Sequence, residues 1–294
     1  MNLQAHLDEK KRAVEAYLRT IFTSFVSAPD TLKEAMGHSL FSEGKRIRPI
    51  LTLTTCEAKN GTASRALPFA CAIEMIHTYS LVHDDLPSID NDDMRRGRPT
   101  CHKMFGEAVA LLAGDALLTE AFRVATDQRF VAGVSPRVVQ EITYEIAQAA
   151  GAQGMVAGQV VDVIYDGKEG TREILDYIHR NKTAALIRAS VRVGALAAEA
   201  TPAELEHFTR YGEALGLAFQ VGDDLLDAEG DEKVVGKKLR KDVTKQTYVK
   251  HYGVPQSRAK LNELVERAVS AVEFLGPAGD MLVKLARFVG KRSF

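Results

Sequence analysis

Apolar side chains recur along this chain at intervals of three and four residues, the repeat that places them on one face of an α-helix. Residues 13–22 follow this repeat near the start of the chain, and residues 142–149 follow it near the middle. Segments rich in Ala, Leu and Glu dominate, whereas the alternation of apolar and polar residues typical of strands is scarce. The pattern therefore predicts an all-α protein.

Two segments carry the polar residues that begin helices. Thr201-Pro202-Ala203-Glu204 places Thr as the N-cap, Pro in the first turn and Glu three residues later, which is a capping box. Ser135-Pro136 begins another helix in the same way. Most prolines are predicted to fall between helices. Neither a low-complexity linker nor a repeat of fixed period interrupts the pattern, so one domain over residues 1–294 is expected.

The composition is that of an ordinary globular protein, with 46% hydrophobic and 26% charged residues. The 38 basic residues nearly cancel the 39 acidic ones, which argues against a nucleic-acid partner. No run approaches the roughly 20 apolar residues that span a bilayer. The N-terminus lacks the pattern of a signal peptide, and the three cysteines lack metal-binding spacing, so a cytoplasmic protein with buried, reduced thiols is expected.

The first chemical feature is a cluster of carboxylates in the second half of the chain. Gln220, Asp223, Asp224 and Asp227 are spaced i, i+3, i+4 and i+7, so they share one helical face. A solvated acidic face is the ordinary interpretation of such a cluster. However, the apolar residues 215–219 before it indicate a largely buried helix, where carboxylates are costly unless cations pair with them.

A similar cluster ends a helix predicted over residues 67–85, because Pro87 disfavours helical geometry at the residue before it. Asp84 and Asp85 occupy the last turn, where the helix dipole disfavours negative charge, so a compensating cation is expected. Asp90 follows in a turn that could fold back toward this pair. Hard divalent cations prefer oxygen ligands, and magnesium typically binds one or two carboxylates together with substrate phosphates.

Basic residues accompany these clusters. Arg95 and Arg96 follow the first cluster, and arginine suits phosphate oxygens because its planar fork stays charged. Residues 44–49, Gly-Lys-Arg-Ile-Arg-Pro, form a further basic segment, which alone would be read as ordinary surface. His77 lies two helical turns before Asp84, and a single His in an apolar helix is more often a core residue than a ligand. Together, these residues predict metal-assisted electrostatic chemistry on a phosphorylated substrate.

These motifs resemble those of the trans-isoprenyl diphosphate synthases. Residues 76–97 resemble the family's first aspartate-rich motif, and residues 220–227 resemble the second. Residues 44–49, Lys182-Thr183, and Gly158-Gln159 followed by Asp162 also match family motifs in the right order. The resemblance implies a fold of long antiparallel helices around a deep central cavity, usually as a homodimer, and it is closest to the bacterial farnesyl type.

The resemblance also implies a reaction. An allylic diphosphate ionises, the double bond of isopentenyl diphosphate attacks the carbocation, and a proton is lost to the departing diphosphate. Three magnesium ions are implied, two held by Asp84, Asp85 and Asp90, and one held by Asp223 with its neighbours Asp224 and Asp227.

Further roles carry over by position. The resemblance assigns the allylic diphosphate to Arg95, Lys182, Gln220 and Lys237. It assigns isopentenyl diphosphate to the basic segment and its surroundings, namely Gly44, Lys45, Arg48, His77 and Arg96. Thr183 and Gln159 are assigned to the reaction centre. Asp84, Asp85, Lys182, Thr183, Gln220 and Lys237 form the implied catalytic set. Lys245 corresponds to a second family lysine, although residues 244–248 depart from the family's usual Gly-containing pattern.

Product length is expected to depend on the residues just before the first cluster. Tyr79 lies five residues before Asp84, roughly 7.5 Å along the helix axis, where its ring would stop a growing chain. Within the family, an aromatic residue here, beside Ser80, together with four residues between Asp85 and Asp90, resembles the farnesyl type. Geranylgeranyl and geranyl products remain alternatives, because Tyr79 could merely pack in the core.

Two other classes of protein share part of this pattern. Terpene cyclases also use aspartate-rich motifs and magnesium, but they normally replace the second motif and lack an isopentenyl site, whereas Lys45 and Arg48 are present here. A non-catalytic partner subunit tends to lose one aspartate motif, and this chain keeps both.

Overall fold

The computed structural model describes residues 2–229 and 244–291. One segment, His179–Ala184, is π-helical, and another, Glu273–Gly279, is a 3₁₀ helix. The short strands β1 (Met94–Arg95) and β2 (Arg98–Pro99) form an antiparallel hairpin. The all-α prediction is confirmed. The α-helices are α1 (Leu3–Phe22), α2 (Asp30–Leu40), α3 (Ile47–Ala58), α4 (Ala63–Asp84), α5 (Cys101–Phe105), α6 (Glu107–Thr126), α7 (Pro136–Ala150), α8 (Met155–Ile164), α9 (Arg172–Ile178), α10 (Ala185–Ala197), α11 (Pro202–Glu229), α12 (Tyr248–Ala271) and α13 (Asp280–Gly290).

Both predicted helix starts are present. The Glu204 carboxylate accepts a hydrogen bond from the Thr201 backbone N–H at 2.8 Å, and the Thr201 hydroxyl oxygen accepts one from the Glu204 N–H at 3.4 Å. Ser135 caps α7 by accepting from the Val138 N–H at 3.4 Å. These bonds satisfy backbone donors that the first helical turn leaves without partners.

The helix carrying the first aspartate cluster differs from the prediction at its start. We predicted residues 67–85, but α4 runs Ala63–Asp84, and Asp85 is its C-cap. Pro68 lies inside α4, so the expectation that most prolines fall between helices does not hold there, whereas Pro255 follows a kink at Gly253, whose φ of 73° is not helical. Because Pro68 has no backbone N–H, α4 lacks the helical hydrogen bond that this residue would otherwise donate to the Ser64 carbonyl oxygen.

The buried side chains form two large clusters. The first is built mainly from α1, α2, α4, α6 and α7, and the second from α11, α12 and α13. Helix α3 contributes to both, with Leu53 in the first cluster and Leu51 in the second, and α10 does the same. Leu205 packs against both clusters. Helices buried on two sides in this way must be apolar nearly all round. A single domain over residues 1–294 stays a prediction.

Two further expectations concern cysteines and membrane spans. Cys56, Cys71 and Cys101 are free and buried, as predicted, and burial raises the pKa of the Cys56 and Cys101 thiols to about 11. Among the residues that the structure describes, no helix is long and apolar enough to cross a membrane.

Candidate active site

The first aspartate cluster lies where α4 ends. The Asp90 backbone N–H donates to the Asp84 carbonyl oxygen at 2.9 Å, so the turn after Pro87 does fold back onto the helix. Burial raises the pKa of Asp84 to about 6; the nearby Lys182 charge opposes this rise, and Asp90 adds to it. Burial also raises the pKa of Asp85. The nearby cations therefore stabilise the charged forms of Asp84 and Asp85 by less than burial destabilises them.

A tight hairpin brings two arginines to this cluster. Arg96 and Gly97 connect β1 to β2 with positive φ angles of 52° and 74°, as a two-residue hairpin turn requires. Arg95 Nε donates to Asp85 Oδ1 at 2.7 Å. Arg96 Nη1 donates to the Ser42 hydroxyl at 3.3 Å, toward the basic segment. Neighbouring residues thus point to different groups, Arg95 to the aspartates and Arg96 to the basic segment.

The second aspartate cluster lies near the end of α11. Thr183 Oγ1 donates to Gln220 Oε1 at 2.8 Å, and Gln220 Nε2 donates to Asp224 Oδ1 at 2.9 Å. Asp223 and Asp227 are partly exposed, whereas Asp224 is 3% exposed. This chain of hydrogen bonds links the Lys182-Thr183 motif directly to the second cluster.

Asp224 has further contacts that distinguish it from its neighbours. Its Oδ2 accepts from the Tyr248 backbone N–H at 2.7 Å, at the start of α12, and lies 3.6 Å from His179 Nε2. These contacts favour a role in positioning α12 and the π-helical segment. Metal ligation by Asp224 stays a prediction.

Two lysines meet at Asp162, beside the first aspartate cluster. Lys182 Nζ lies 2.7 Å from Asp162 Oδ2, and Lys245 Nζ lies 3.4 Å from the same oxygen. Lys245 Nζ also lies 3.3 Å from Asp90 Oδ1 and 3.2 Å from Asp166 Oδ2. The correspondence of Lys245 to the second family lysine is thus consistent with its location. Asp162 belonged to a recognised motif without an assigned role, and no spacing in the sequence signalled Asp166.

Close backbone packing sets the position of Lys182. A Cβ atom on Gly158 would lie 2.1 Å from the Lys182 backbone nitrogen, so only glycine lets α8 approach the π-helical segment this closely. One residue later, the Gln159 side chain has buried amide atoms, and neither Nε2 nor Oε1 has a hydrogen-bond partner among the described residues. Such orphaned groups are uncommon in proteins, so the Gln159 amide offers donors and an acceptor that a ligand or a water molecule would satisfy.

The basic segment is built around Arg46, which sequence reasoning did not single out. Arg46 has a positive φ of 51° and is 3% exposed. Its Nη1 donates to Glu74 Oε1 at 2.8 Å, and its Nη2 donates to the carbonyl oxygens of Leu40 and Ser42, each at 2.9 Å. Arg46 therefore ties the end of α2 to α4 and fixes the backbone that carries Lys45 and Arg48. In the sequence, the signal for this contact was Glu74, a carboxylate within an apolar helix that needs a cationic partner.

His77 lies beside this segment on α4. Arg48 Nη1 lies 3.3 Å from His77 Nε2, and because arginine only donates, that nitrogen accepts. Burial lowers the pKa of His77 well below its usual value, and the charges of Arg48 and Arg96 lower it further. A cationic group of Arg48 and Arg96 around a neutral imidazole suits an anionic ligand. Lys45 is exposed, and Gly44 passes close to Arg96: a Cβ there would lie 2.9 Å from Arg96 Nη1.

The residues expected to set product length precede the first cluster on α4. Tyr79 is 6% exposed, and burial raises its pKa to about 12. Its ring meets the His83 ring edge to face, with centroids 5.6 Å apart. Ser80 is partly buried and donates to the His77 carbonyl oxygen at 3.0 Å. The remaining predicted site residue, Lys237, lies outside the described residues.

The donor set fits magnesium bound together with a substrate. The described residues contain no group of three His, Cys, Asp or Glu side chains that could hold a metal by themselves. Magnesium does not require such a group, since it commonly takes one or two carboxylates and completes its coordination with water and phosphate oxygens. The all-oxygen clusters and the raised pKa of Asp84 fit a hard cation at this position.

Comparisons with known proteins agree with this geometry. The sequence profile of the polyprenyl synthetase family matches residues 29–273. The chain is 43% identical to the farnesyl diphosphate synthase of Geobacillus stearothermophilus, covering 99% of this chain and 98% of that protein. It is 41% identical to the geranylgeranyl diphosphate synthase of Cyanophora paradoxa, covering 99% and 97% of the two chains. The crystal structure of a geranyltransferase from Legionella pneumophila has a TM-score of 0.89 at 31% identity, with 99% and 97% covered. The chain belongs to the polyprenyl synthetase family.

Proposed function

We propose that this protein condenses isopentenyl diphosphate with dimethylallyl diphosphate and then with geranyl diphosphate, giving farnesyl diphosphate. One observation carries the proposal: both aspartate clusters meet at the Lys182-Thr183 motif. Thr183 is connected through Gln220 to Asp224 in the second cluster, and the Lys182 charge acts on Asp84 in the first. A diphosphate group between the clusters would meet cations and metal ligands from both sides.

The carboxylates of Asp84, Asp85, Asp90, Asp223 and Asp227 would hold the magnesium ions, with three ions expected once diphosphate is bound. When bound, magnesium supplies positive charge that stabilises the leaving diphosphate. Lys182 and Lys245 hold the same group through their ammonium charges, and Arg95 and Lys237 are proposed to assist them. These fixed charges stabilise the diphosphate as the allylic C–O bond breaks and its electron pair leaves with the oxygen.

The second substrate is proposed to bind at the basic segment. Lys45, Arg48 and Arg96 would hold the diphosphate of isopentenyl diphosphate, and neutral His77 would orient it. The double bond then forms a C–C bond to the allylic carbon, and the resulting cation loses a proton to the departed diphosphate. The part-buried hydrogen bond between Thr183 and Gln220 and the buried amide atoms of Gln159 orient dipoles around this reaction without adding water.

We base the proposal of a farnesyl product on the position of Tyr79. Its buried ring lies one helical turn before the His83-Asp84 pair, where it limits how far a prenyl tail extends. Relatives named for farnesyl and for geranylgeranyl diphosphate synthesis are both similar to this chain, so geranylgeranyl is the second candidate.

We also propose a homodimer that acts in the cytoplasm. Leu111 and Leu112 on α6 are 46% and 57% exposed, and Tyr144 on α7 is 66% exposed. Apolar side chains of this size on neighbouring helices support burial against a second copy of the chain.

Product analysis tests the proposed reaction. The protein is incubated with magnesium, isopentenyl diphosphate and dimethylallyl diphosphate, and the dephosphorylated products are separated by chromatography. The expected product is mainly the C15 alcohol, with none when EDTA replaces magnesium. The absence of any elongated product would refute the enzyme assignment, whereas mainly C20 product would refute only the farnesyl assignment.

A further inference from the structure

The ring of Tyr79 is in contact with a second ring, that of His83. The two residues are four apart on α4, so they lie on the same face, one turn from each other. The ring centroids are 5.6 Å apart with an interplanar angle of 78°, which is an edge-to-face arrangement. The Tyr79 hydroxyl has no hydrogen bond to a described residue, so packing alone holds this ring in place.

His83 is itself held from the opposite side by α6. Its Nε2 lies 3.0 Å from the Leu111 carbonyl oxygen, and because that oxygen can only accept, Nε2 carries the proton and donates. Asp115 Oδ1 lies 3.8 Å from the same nitrogen. The imidazole is therefore oriented by a backbone carbonyl of a neighbouring helix, whose position is set by helix packing.

Gly114 provides the space that the imidazole occupies. A Cβ atom on Gly114 would lie 2.1 Å from His83 Nε2 and 2.4 Å from His83 Cδ2. Real Cβ atoms do not approach other atoms this closely, so any larger residue at this position would displace the His83 ring. The Tyr79 ring is thus supported by His83, which in turn rests against Leu111 and Gly114 of α6.

We propose that His83, seated against Gly114, is a positioning residue that fixes the Tyr79 ring and thereby sets product length. His83 contacts the ring and not the substrate, so its effect passes through Tyr79. This inference rests on the proposed function, because product length has meaning only for a chain-elongating enzyme. Once support is lost, the Tyr79 ring turns away and the tail extends further before it meets a barrier.

The experiment compares product distributions of variants on both sides of the contact. His83→Ala removes the supporting ring, and Gly114→Ala displaces it from α6, at a distance in sequence from the aspartates. Each variant is given excess isopentenyl diphosphate, dimethylallyl diphosphate and magnesium, and the C20 to C15 ratio is measured. We expect that ratio to rise about two- to tenfold in each variant, the range that loss of one edge-to-face contact supports.

A double-variant comparison separates positioning from other effects. If His83 acts through Tyr79, adding His83→Ala to Tyr79→Ala changes the ratio no further than Tyr79→Ala alone. Gly61→Ala is the matched control, since its Cβ would lie 2.6 Å from Cys56 Sγ and would strain the packing without approaching α4's aspartates. That control is expected to lower the melting temperature and leave the ratio unchanged.

The outcomes distinguish this inference from the proposed function. The positioning role would be overturned if His83→Ala and Gly114→Ala kept the parent's C20 to C15 ratio. It would also be overturned if the effects of His83→Ala and Tyr79→Ala on that ratio were fully additive. In both cases the elongation reaction itself would still stand. An unchanged ratio in Tyr79→Ala would overturn it as well. If the parent protein makes no elongated product, it is the proposed function that fails. Because the readout is a ratio of products, a lower overall rate in His83→Ala, next to Asp84, does not affect the comparison.

Discussion

Lys245 Nζ lies 3.3 Å from Oδ1 of Asp90, a residue 155 positions earlier in the chain. The same ammonium lies within ion-pair distance of Asp162 and Asp166, and these carboxylates raise the pKa of Lys245 well above its usual value although burial opposes them. One lysine thus offsets the charge of three carboxylates contributed by two distant parts of the sequence.

Lys245→Met is therefore expected to destabilise the metal-free protein. The loss should be about 1–2 kcal/mol, between the values for exposed and fully buried ion pairs, and added magnesium should restore part of it. Urea unfolding in EDTA and in magnesium measures both effects. Arg129→Met, which removes an ion pair with Asp127 in which the Arg129 side chain is 69% exposed, is the control and should cost little. Equal losses in the two variants would contradict the charge-offset role.

Tyr79→Ala is expected to lengthen the product, because it removes the ring that is proposed to stop the growing tail. The C20 fraction should rise at least severalfold, whereas Tyr79→Phe should retain the parent distribution, since the hydroxyl has no hydrogen bond to a described residue. Chromatography of the dephosphorylated products measures the change. A Tyr79→Ala enzyme that still stops at the parent's length would place the barrier elsewhere.

Asp84→Asn should separate activity from stability. Burial raises the pKa of Asp84 from its ordinary value of 3.8 to about 6, so its contribution to stability is present at low pH and is lost as pH rises through about 6. The metal-free variant should therefore melt at a higher temperature than the parent at pH 8. Its turnover should fall by about 10²–10³ or more, because a proposed metal ligand is lost.

The control for this variant comes from the same loop. Asp93→Asn removes a carboxylate that is 72% exposed and pairs with Lys103 at 2.7 Å. Its turnover should stay near that of the parent. A similar loss of turnover in both variants would mean that Asp84 has no specific role.

His179 should make the fold sensitive to acid. Burial lowers the pKa of His179 from its ordinary value of 6.5 to about 3, so the unfolded chain binds more protons than the folded chain between these pH values. The contribution of His179 to the free energy of unfolding is fully present above pH 6.5. It falls as the pH is lowered, and about 2 kcal/mol of it is lost at pH 5. His179→Phe should flatten the dependence of the unfolding free energy on pH in this window. A variant with the parent's slope would contradict this assignment.

Gly158→Ala should impair both folding and catalysis. Its Cβ would lie 2.1 Å from the Lys182 backbone nitrogen and would push the π-helical segment away from α8. Overpacking of this kind costs about 1–3 kcal/mol, and displacement of Lys182 and Thr183 should lower turnover about tenfold or more. Gly222→Ala is the control, because its Cβ would meet only ordinary contacts, the nearest at 3.7 Å. Thermal melts and steady-state assays test both variants.

The sequence was sufficient for features that depend on neighbouring residues. The helical repeat predicted the all-α fold, and the caps at Ser135 and Thr201 are present, because these hydrogen bonds join residues only three positions apart. The spacing of Gln220 and Asp224 likewise ensured their contact within one helix. The family resemblance also came from short motifs whose order could be read directly.

Tertiary structure alone decided which distant groups meet. Lys245 reaches Asp90 across the chain, and Arg46 joins Glu74 to the end of α2, although neither pairing follows from any local spacing. Gly114 is unremarkable in the sequence of α6, but the helix crossing with α4 gives it a specific neighbour in His83. Local hydrogen bonds depend on residue type and separation, whereas these contacts depend on how helices pack after the chain has folded. The sequence therefore determined the elements and the chemical groups, and the packing determined which of those groups act on each other.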